Sequence, residues 1–185
     1  MNMIKAIVIV ILSAVIGVGL FIYSGTYPIG ADVPHNKVEY WLLETLRNKA
    51  IERSSKDILV PALDSPDLLL MGGVDYNDMC SACHLKPGKT RSDMSLGLYP
   101  TPPNLATNER ELELENDDKI RLAQRQFWVI KHGIKASGMP AWGPTHEDER
   151  IWAMVAFLQQ LPELTAEQYN ILTARDPKDN QEMAH

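Results

Sequence analysis

The first strong feature of the chain is an unbroken apolar stretch near its N-terminus. No charged residue occurs between Ala6 and Tyr23. At about 1.5 Å of rise per residue, a helix of this length spans roughly 27 Å, close to the thickness of a bilayer's hydrocarbon core. Lys5 precedes the run, and no further Lys or Arg follows until Lys37. This asymmetry predicts a transmembrane helix over residues 1–23 with its N-terminus in the cytoplasm.

A cleaved signal peptide is the alternative explanation of this run. Signal peptides normally have an apolar region of about 7–15 residues followed by a small-x-small cleavage site. The run here is longer, and residues 24–35 offer poor sites because Tyr, Pro or Ile falls at the critical positions. We expect a single-pass anchor in a bacterial inner membrane, and cleavage stays open as the alternative. In either case the chain beyond about residue 24 is exported to the periplasm.

A helical pattern follows between Asn36 and Leu59. Asn36 and Glu39 have the spacing of a capping box. The apolar positions that recur at helical spacing are Val38, Trp41, Leu42, Thr45, Leu46 and Ala50. We expect this face to pack on the following domain. A membrane-surface helix is the alternative, which a polar side that mixes acids and bases disfavours. Residues 24–64 therefore form an interfacial segment with one helix and a linker.

The rest of the chain predicts a small all-α domain over residues 65–161. No credible series of strands is present, and a loop rich in Gly, Pro, Ser and Thr occupies about 85–107. The predicted helices run from Ser65 to about Cys80, from Asp117 to Lys131, and from Glu147 to Gln160 with Thr145 as its cap. Residues 162–185 are expected to hold a short helix, Thr165–Thr173, and a flexible tail.

Composition narrows the classes of function. The 185 residues include 24 Asp+Glu against 18 Lys+Arg, a formal net charge of -6. This acidic balance argues against nucleic acid as a partner. Only 2 cysteines are present, too few for a disulfide-rich scaffold or a four-cysteine metal site. The two cysteines must therefore act as one pair.

That pair lies in Cys80-Ser-Ala-Cys83-His84, the attachment signature of c-type haem. Two thiols one helical turn apart can add to the two vinyl groups of one haem edge, and the adjacent imidazole can then bind the iron. A zinc half-site would need two further ligands at suitable spacing. A thiol–disulfide exchange site would need a βαβ setting. Because the sequence offers neither, we expect one covalently attached haem c with His84 as an iron ligand.

The second iron ligand is expected in the loop before the last long helix. A thioether is a soft ligand that favours ferrous iron. Among the 8 methionines, Met139 lies in a sharply defined loop between a glycine and a proline. Met71 and Met154 fall on helix faces and are expected in the core. Met139 is the expected ligand, with His132, Met94 or an open sixth position as alternatives.

With these residues in place, residues 65–161 resemble the class I c-type cytochromes, and more closely the bacterial membrane-anchored mono-haem members. The family's helix before the haem site carries Gly-x-x-x-aromatic-x-x-x-Cys, which Gly72, Tyr76 and Cys80 match. The resemblance implies that this glycine lets the helix cross the C-terminal helix closely.

A second element of the resemblance is Pro102-Pro103-Asn104-Leu105, which is similar to the family's Gly-Pro-Asn-Leu. The match implies that the Pro103 carbonyl accepts the Nδ1–H of His84 and so fixes its tautomer. Proline stands at position 102 where glycine is usual. Tyr99 and the prolines after it are expected to form a wall of the haem pocket.

These expectations define an electron carrier. Two protein ligands leave the iron no open position, so we expect one-electron transfer between respiratory redox partners and no small-molecule substrate. Trp128 and Trp142 are candidates near the haem propionates. The alternative is a haem enzyme or a gas- or peroxide-binding cytochrome with a labile methionine ligand. It is disfavoured because the sequence offers no distal His–Arg arrangement.

Bases flank both expected iron ligands. They are Lys86, Lys89 and Arg91 on one side and Lys119, Arg121, Arg125, Lys131 and Lys135 on the other, with no acid among them. Acids concentrate instead between Glu109 and Asp118. We expect a basic rim that steers the protein to an acidic docking patch on an oxidase, reductase, dehydrogenase or quinol-oxidising complex. The alternative is that these side chains merely solvate helix faces.

Overall fold

The computed structural model describes residues 2–107 and 116–175, and all regular structure in these ranges is helical. The predicted all-α class is therefore confirmed. The chain divides into two compact units, Met1–Pro34 and His35–His185. The predicted flexible tail beyond residue 175 lies outside the described residues, as does most of the acidic stretch 109–118.

The first unit contains helix α1, Met3–Ser24. Among the described residues it is the one helix long and apolar enough to cross a membrane. Gly25, the residue after the helix, adopts a left-handed conformation with φ of 65°. Glycine takes up this conformation without steric cost, so it is a common residue just after a helix. The Phe21 ring packs edge-on against the Tyr27 ring at 6.3 Å between centroids.

The second unit contains seven further helices in the described residues. They are α2, Lys37–Ser55; α3, Pro66–Asp75; α4, Ser81–His84; α5, Asp93–Gly97; α6, Asn116–His132; α7, Asp148–Gln160; and α8, Ala166–Leu172. A π-helical turn, Tyr76–Cys80, joins α3 to α4, and a 3-10 turn, Leu161–Glu163, follows α7.

The core of this unit is built where α3 crosses α7. Every residue of α7 from 151 to 158 is buried, as expected for a helix surrounded by other elements. Gly72 of α3 lies so close to α7 that a Cβ atom there would overlap the backbone carbonyl of Ala153. Around the crossing, the Phe127 and Trp152 rings stack at 4.1 Å between centroids. Glycine at this contact thus brings the two helix backbones together.

A buried ion pair also joins α3 to α7. The Arg150 guanidinium donates to both carboxylate oxygens of Asp75, with N–O distances of 2.6 and 2.7 Å. Asp75 is buried, while Arg150 is about half exposed. This bidentate geometry satisfies a carboxylate that would otherwise be buried without a partner.

Helix α2 packs on α6 with the face opposite to the predicted one. Its capping box is present, since the Asn36 side chain accepts from the Glu39 amide and the Glu39 carboxylate accepts from the Asn36 amide. Ile51 and Ser55 are the buried residues of the helix. Asn48 Oδ1, on the same side, accepts from the Arg125 guanidinium at 3.0 Å.

The apolar positions of α2 therefore remain exposed. Val38 is 71% exposed, Trp41 63%, Leu42 56% and Leu46 65%. The expectation that this face packs on the following domain is wrong. The residues that meet α6 lie on the other side of the helix. The buried Ile51 and Ser55 and the hydrogen bond of Asn48 fix the rotation of α2 there.

Three local expectations also need correction. Thr145 does not cap α7, which begins at Asp148 after Glu147, because the Thr145 hydroxyl donates to the Trp142 carbonyl instead. Met71 is at the surface, since the glycines that follow it are the residues of α3 that face α7. The loop predicted over 85–107 contains α5, which a reciprocal Ser92–Ser95 cap stabilises.

Candidate haem-binding site

The two cysteines lie at the end of the α3 helical segment. The π-helical turn delivers Cys80 to the start of α4, and Cys83 and His84 follow within that turn of helix. Both thiols are free and half-buried. Burial raises the pKa of the Cys80 thiol to about 12. The two thiols are therefore held about one helical turn apart, the arrangement needed for two attachment points on one ligand edge.

Tyr76 fixes the path of the chain immediately after His84. Its hydroxyl donates to the Leu85 carbonyl at 2.6 Å and lies 3.2 Å from the His84 carbonyl. Leu85 has a φ of 67°, in the left-handed region that a branched side chain rarely adopts. Such strain persists only where surrounding contacts enforce it. The buried Tyr76 phenol, 1% exposed, provides that contact and turns the chain away from the imidazole.

The His84 side chain is anchored to the loop that carries Pro103. Its Nδ1 atom lies 2.9 Å from the Pro103 carbonyl oxygen, and the Leu105 amide donates to the His84 carbonyl at 3.1 Å. Because a carbonyl only accepts, Nδ1 must carry the hydrogen, which leaves Nε2 with its lone pair. Burial lowers the pKa of His84, and the bond to Pro103 partly opposes this effect. The imidazole is therefore neutral and able to bind a metal.

The loop that follows α6 contains Met139, the expected second ligand. Its carbonyl accepts from the Ile134 amide at 3.2 Å, and its amide donates to the Ser137 hydroxyl at 3.1 Å. Gly133 has a φ of 64°, and a Cβ atom at this position would lie only 2.8 Å from the Met139 carbonyl oxygen. The close approach therefore requires glycine. The Met139 side chain is half-buried and packs against the hydrophobic core, as does Cys80. The loop thus holds Met139 in a defined position on the same core cluster as Cys80.

Of the remaining predicted site residues, Trp142 packs against the core cluster, whereas Trp128 and Met94 lie on helices nearer the surface. Trp142 packs against the same core cluster as Met139, and its amide donates to the Ile130 carbonyl at 3.0 Å. Trp128 is half-buried on α6, with its ring 5.0 Å from the exposed His132 ring. Met94, another alternative ligand, is 55% exposed on α5.

Tyr99 has a partner that the sequence did not indicate. Its hydroxyl accepts from the His35 amide at 3.1 Å, and the two rings pack edge-on at 5.2 Å between centroids. The contact ties the residue before the α2 cap to the loop that leads to Pro103. No periodic or motif signal marks His35, because the contact joins residues 64 positions apart.

The basic residues near these loops are partly engaged within the protein. Lys131 pairs with Asp148 at 2.5 Å and Arg121 with Asp118 at 2.6 Å. The other engaged bases are Arg125, bonded to Asn48, and Lys86, which lies over the Tyr169 ring. Lys89, Arg91, Lys119 and Lys135 are exposed, as is the paired Arg121. A basic rim would therefore rest on this smaller set.

The side chains present fit a covalently attached haem. Two half-buried thiols on one turn can form the thioether bonds, and a neutral imidazole and a half-buried thioether are the types of ligand that haem iron binds. A site with this donor set on an all-helical domain defines a c-type cytochrome.

Comparison with known proteins gives the same class. Residues 70–158 match the family described as cytochrome C oxidase, cbb3-type, subunit III. No curated protein matches the chain, and no solved structure does. Residues 70–158 are a class I cytochrome c domain of the cbb3 oxidase subunit III type, and their Cys-x-x-Cys-His motif carries one covalent haem c.

Proposed function

We propose that this protein is a membrane-anchored, periplasmic, mono-haem electron carrier in which His84 and Met139 are the axial iron ligands. The observation that carries the proposal is the fixation of two suitable donors on separate elements, His84 at the end of α4 and Met139 in the loop after α6. The Pro103 carbonyl holds the His84 imidazole in one tautomer, and the Ile134 and Ser137 contacts hold Met139. When bound, the haem supplies a one-electron Fe(III)/Fe(II) couple.

The residues of the chain determine what that couple does. Pro103 orients the imidazole and raises its basicity through the Nδ1 hydrogen bond. The Met139 thioether is a soft ligand that favours the reduced metal. Hydrogen bonds hold both the His84 imidazole and the Met139 loop. The positions of the two ligands should therefore change little with oxidation state, which favours fast electron transfer. With both positions filled by protein side chains, a substrate has no place to bind.

The ligand assignment is tested by Met139→Ala, with Met94→Ala as the matched control. We expect Met139→Ala to lower the reduction potential by on the order of 0.1 V, because axial ligands set haem potentials over a range of almost a volt. The ferrous variant should also bind carbon monoxide rapidly. Met94→Ala should leave the spectrum and the potential unchanged. An unaltered spectrum in Met139→Ala would reject the assignment, and rapid carbon monoxide binding by the wild type would favour a gas-binding function.

The proposed location rests on α1 as a retained anchor. The intact mass of the protein purified from membranes should equal the full chain plus one haem. Extraction should require detergent rather than alkaline carbonate. A mass that lacks the first 24 or more residues would show cleavage and leave a soluble periplasmic carrier.

The partners are redox proteins of respiratory complexes, and a terminal oxidase is the kind that the family suggests. Lys89, Arg91 and Lys135 are exposed near the ligand loops, so the docking surface on the partner is acidic. Bimolecular electron-transfer rates with a purified oxidase should fall as ionic strength rises, because salt screens attraction between exposed charges. Rates that rise with salt would contradict this steering.

A further inference from the structure

The exposed apolar side of α2 is a feature that the haem site does not explain. We define the α2 apolar face as Val38, Trp41, Leu42 and Leu46, which share one side of the helix. Each of these side chains is more than half exposed. A contiguous exposed apolar surface of this kind marks a site of interaction with a protein or a membrane.

The cytochrome domain cannot cover this face, because α2 already uses its other side for that contact. Ile51 and Ser55 are buried, and Asn48 bonds to Arg125 of α6. Beyond the helix, Gln124 Nε2 donates to the carbonyls of Lys56 and Ile58 at 3.1 and 2.8 Å. These bonds fix the rotation of α2, so its apolar face points away from α6.

The length of the connection to α1 limits what the face can meet. Residues 25–36 separate the end of α1 from the start of α2. Even fully extended, they reach only about 40 Å. The connection exposes two apolar side chains, Ile29 at 91% and Val33 at 42%. With α1 anchored in the membrane, α2 therefore stays within about 40 Å of the bilayer surface.

We propose that the α2 apolar face lies in the interfacial region of the periplasmic leaflet of the inner membrane. The inference rests on the proposed function, specifically on α1 as a retained anchor. Trp41 and the neighbouring Tyr40 are aromatic residues of the kind that prefer this depth. Burial of the apolar side chains in the headgroup boundary supplies the attraction, and the covalent link to α1 makes it an intramolecular contact.

Charge plays little part in this contact. The bases on α2 are largely matched by acids on the same helix: Lys49 pairs with Glu52 at 2.9 Å and Arg47 with Glu44 at 3.4 Å. With four bases and three acids, α2 presents an excess of only one positive charge to anionic headgroups. The contact should form on zwitterionic lipid, unlike that of basic amphipathic helices.

The test compares two leucines of nearly equal exposure in the full-length holoprotein. Leu46 on the α2 apolar face is 65% exposed and Leu96 on α5 is 66% exposed. Leu46→Cys and Leu96→Cys each introduce one reactive thiol, because both native cysteines are consumed by haem attachment. Each variant is placed in nanodiscs of phosphatidylcholine, and its labelling rate with a charged, membrane-impermeant maleimide is divided by its rate in urea. Both must first show the wild-type haem spectrum.

We expect the normalised rate at position 46 to be at least tenfold below that at position 96. Adding phosphatidylglycerol to the nanodiscs should change this ratio less than twofold. Equal rates at the two positions would overturn the inference while leaving the anchor intact. Protection that needs anionic lipid, or that occurs only in native membranes containing partner proteins, would also overturn it. Failure of the wild type to enter nanodiscs would refute the anchor itself, and the inference with it.

Discussion

The close crossing of α3 and α7 makes a strong prediction about Gly72. In Gly72→Ala the new methyl carbon would overlap the Ala153 carbonyl and would lie 2.9 Å from the Met154 amide nitrogen. Ordinary contacts between such atoms are about 3.5 Å or longer. Because the obstructing atoms are backbone rather than flexible side chains, the two helices must separate by roughly 1 Å.

The expected cost follows from two opposing effects. Overpacking a well-packed interior costs about 1–3 kcal/mol, and here the separation also loosens the fully buried segment 151–158. Replacing glycine by alanine within a helix returns about 1 kcal/mol. The difference leaves a loss of about 0–2 kcal/mol, and we expect the upper end, about 2 kcal/mol, because the obstructing atoms are backbone. Such a loss lowers the melting temperature by about 4–8 °C in a unit of this size.

The assay is urea unfolding of the full-length holoprotein in mild detergent, followed by circular dichroism. The matched control is Gly97→Ala in α5, where an added methyl group meets no atom within 4 Å. Because this control keeps the gain in helix propensity without the backbone contact, it should be unchanged or stabilised by up to about 1 kcal/mol. Both variants must carry covalent haem. If Gly72→Ala unfolds at the wild-type midpoint with an unchanged m-value, the argument from backbone contact is refuted.

Three further predictions concern buried polar contacts. Arg150→Ala should cost about 1–3 kcal/mol of unfolding free energy, more than Asp75→Ala, because it leaves the buried carboxylate without its donor. Burial raises the pKa of Tyr169 to about 12 and that of Tyr76 still further. Stability should therefore fall from pH 10 to 12 as the unfolded chain loses these protons first, and Tyr169→Phe should reduce this loss without abolishing it. Gln124→Ala should cost about 1–3 kcal/mol and speed proteolysis between α2 and α3, because two carbonyls lose their donor.

The features that could be predicted from the sequence are those encoded by neighbouring residues. The capping box of α2 needs only Asn36 and Glu39, three positions apart. The Cys-x-x-Cys-His motif fixes its own chemistry within five positions, and an uncharged apolar run predicts a membrane-spanning helix without reference to the rest of the chain. In each case the energy that forms the feature is local, so no knowledge of packing is required.

The contacts that could not be predicted join distant parts of the chain. The contact of Asp75 with Arg150 depends on the crossing of α3 and α7, and that of His35 with Tyr99 depends on the path of the loop before Pro103. The orientation of α2 could not be predicted either. An amphipathic pattern shows which face of a helix is apolar, but it does not show whether protein or lipid covers that face. The hydrogen bonds of Asn48 and of the residues after Ser55 decide the rotation, and such polar contacts leave no periodic signal.

This orientation has a consequence for how the carrier would work. Gln124 and Arg125 bond α2 and the residues that follow it to α6, and the Met139 loop begins where α6 ends at His132. A cytochrome domain tethered by a flexible linker alone would sample all orientations above the membrane. With the α2 apolar face in the headgroup region, the bonds to α6 would hold the domain at one tilt and height. The protein would then exchange electrons by diffusing in the plane of the bilayer toward membrane complexes, whose docking sites lie at a fixed level.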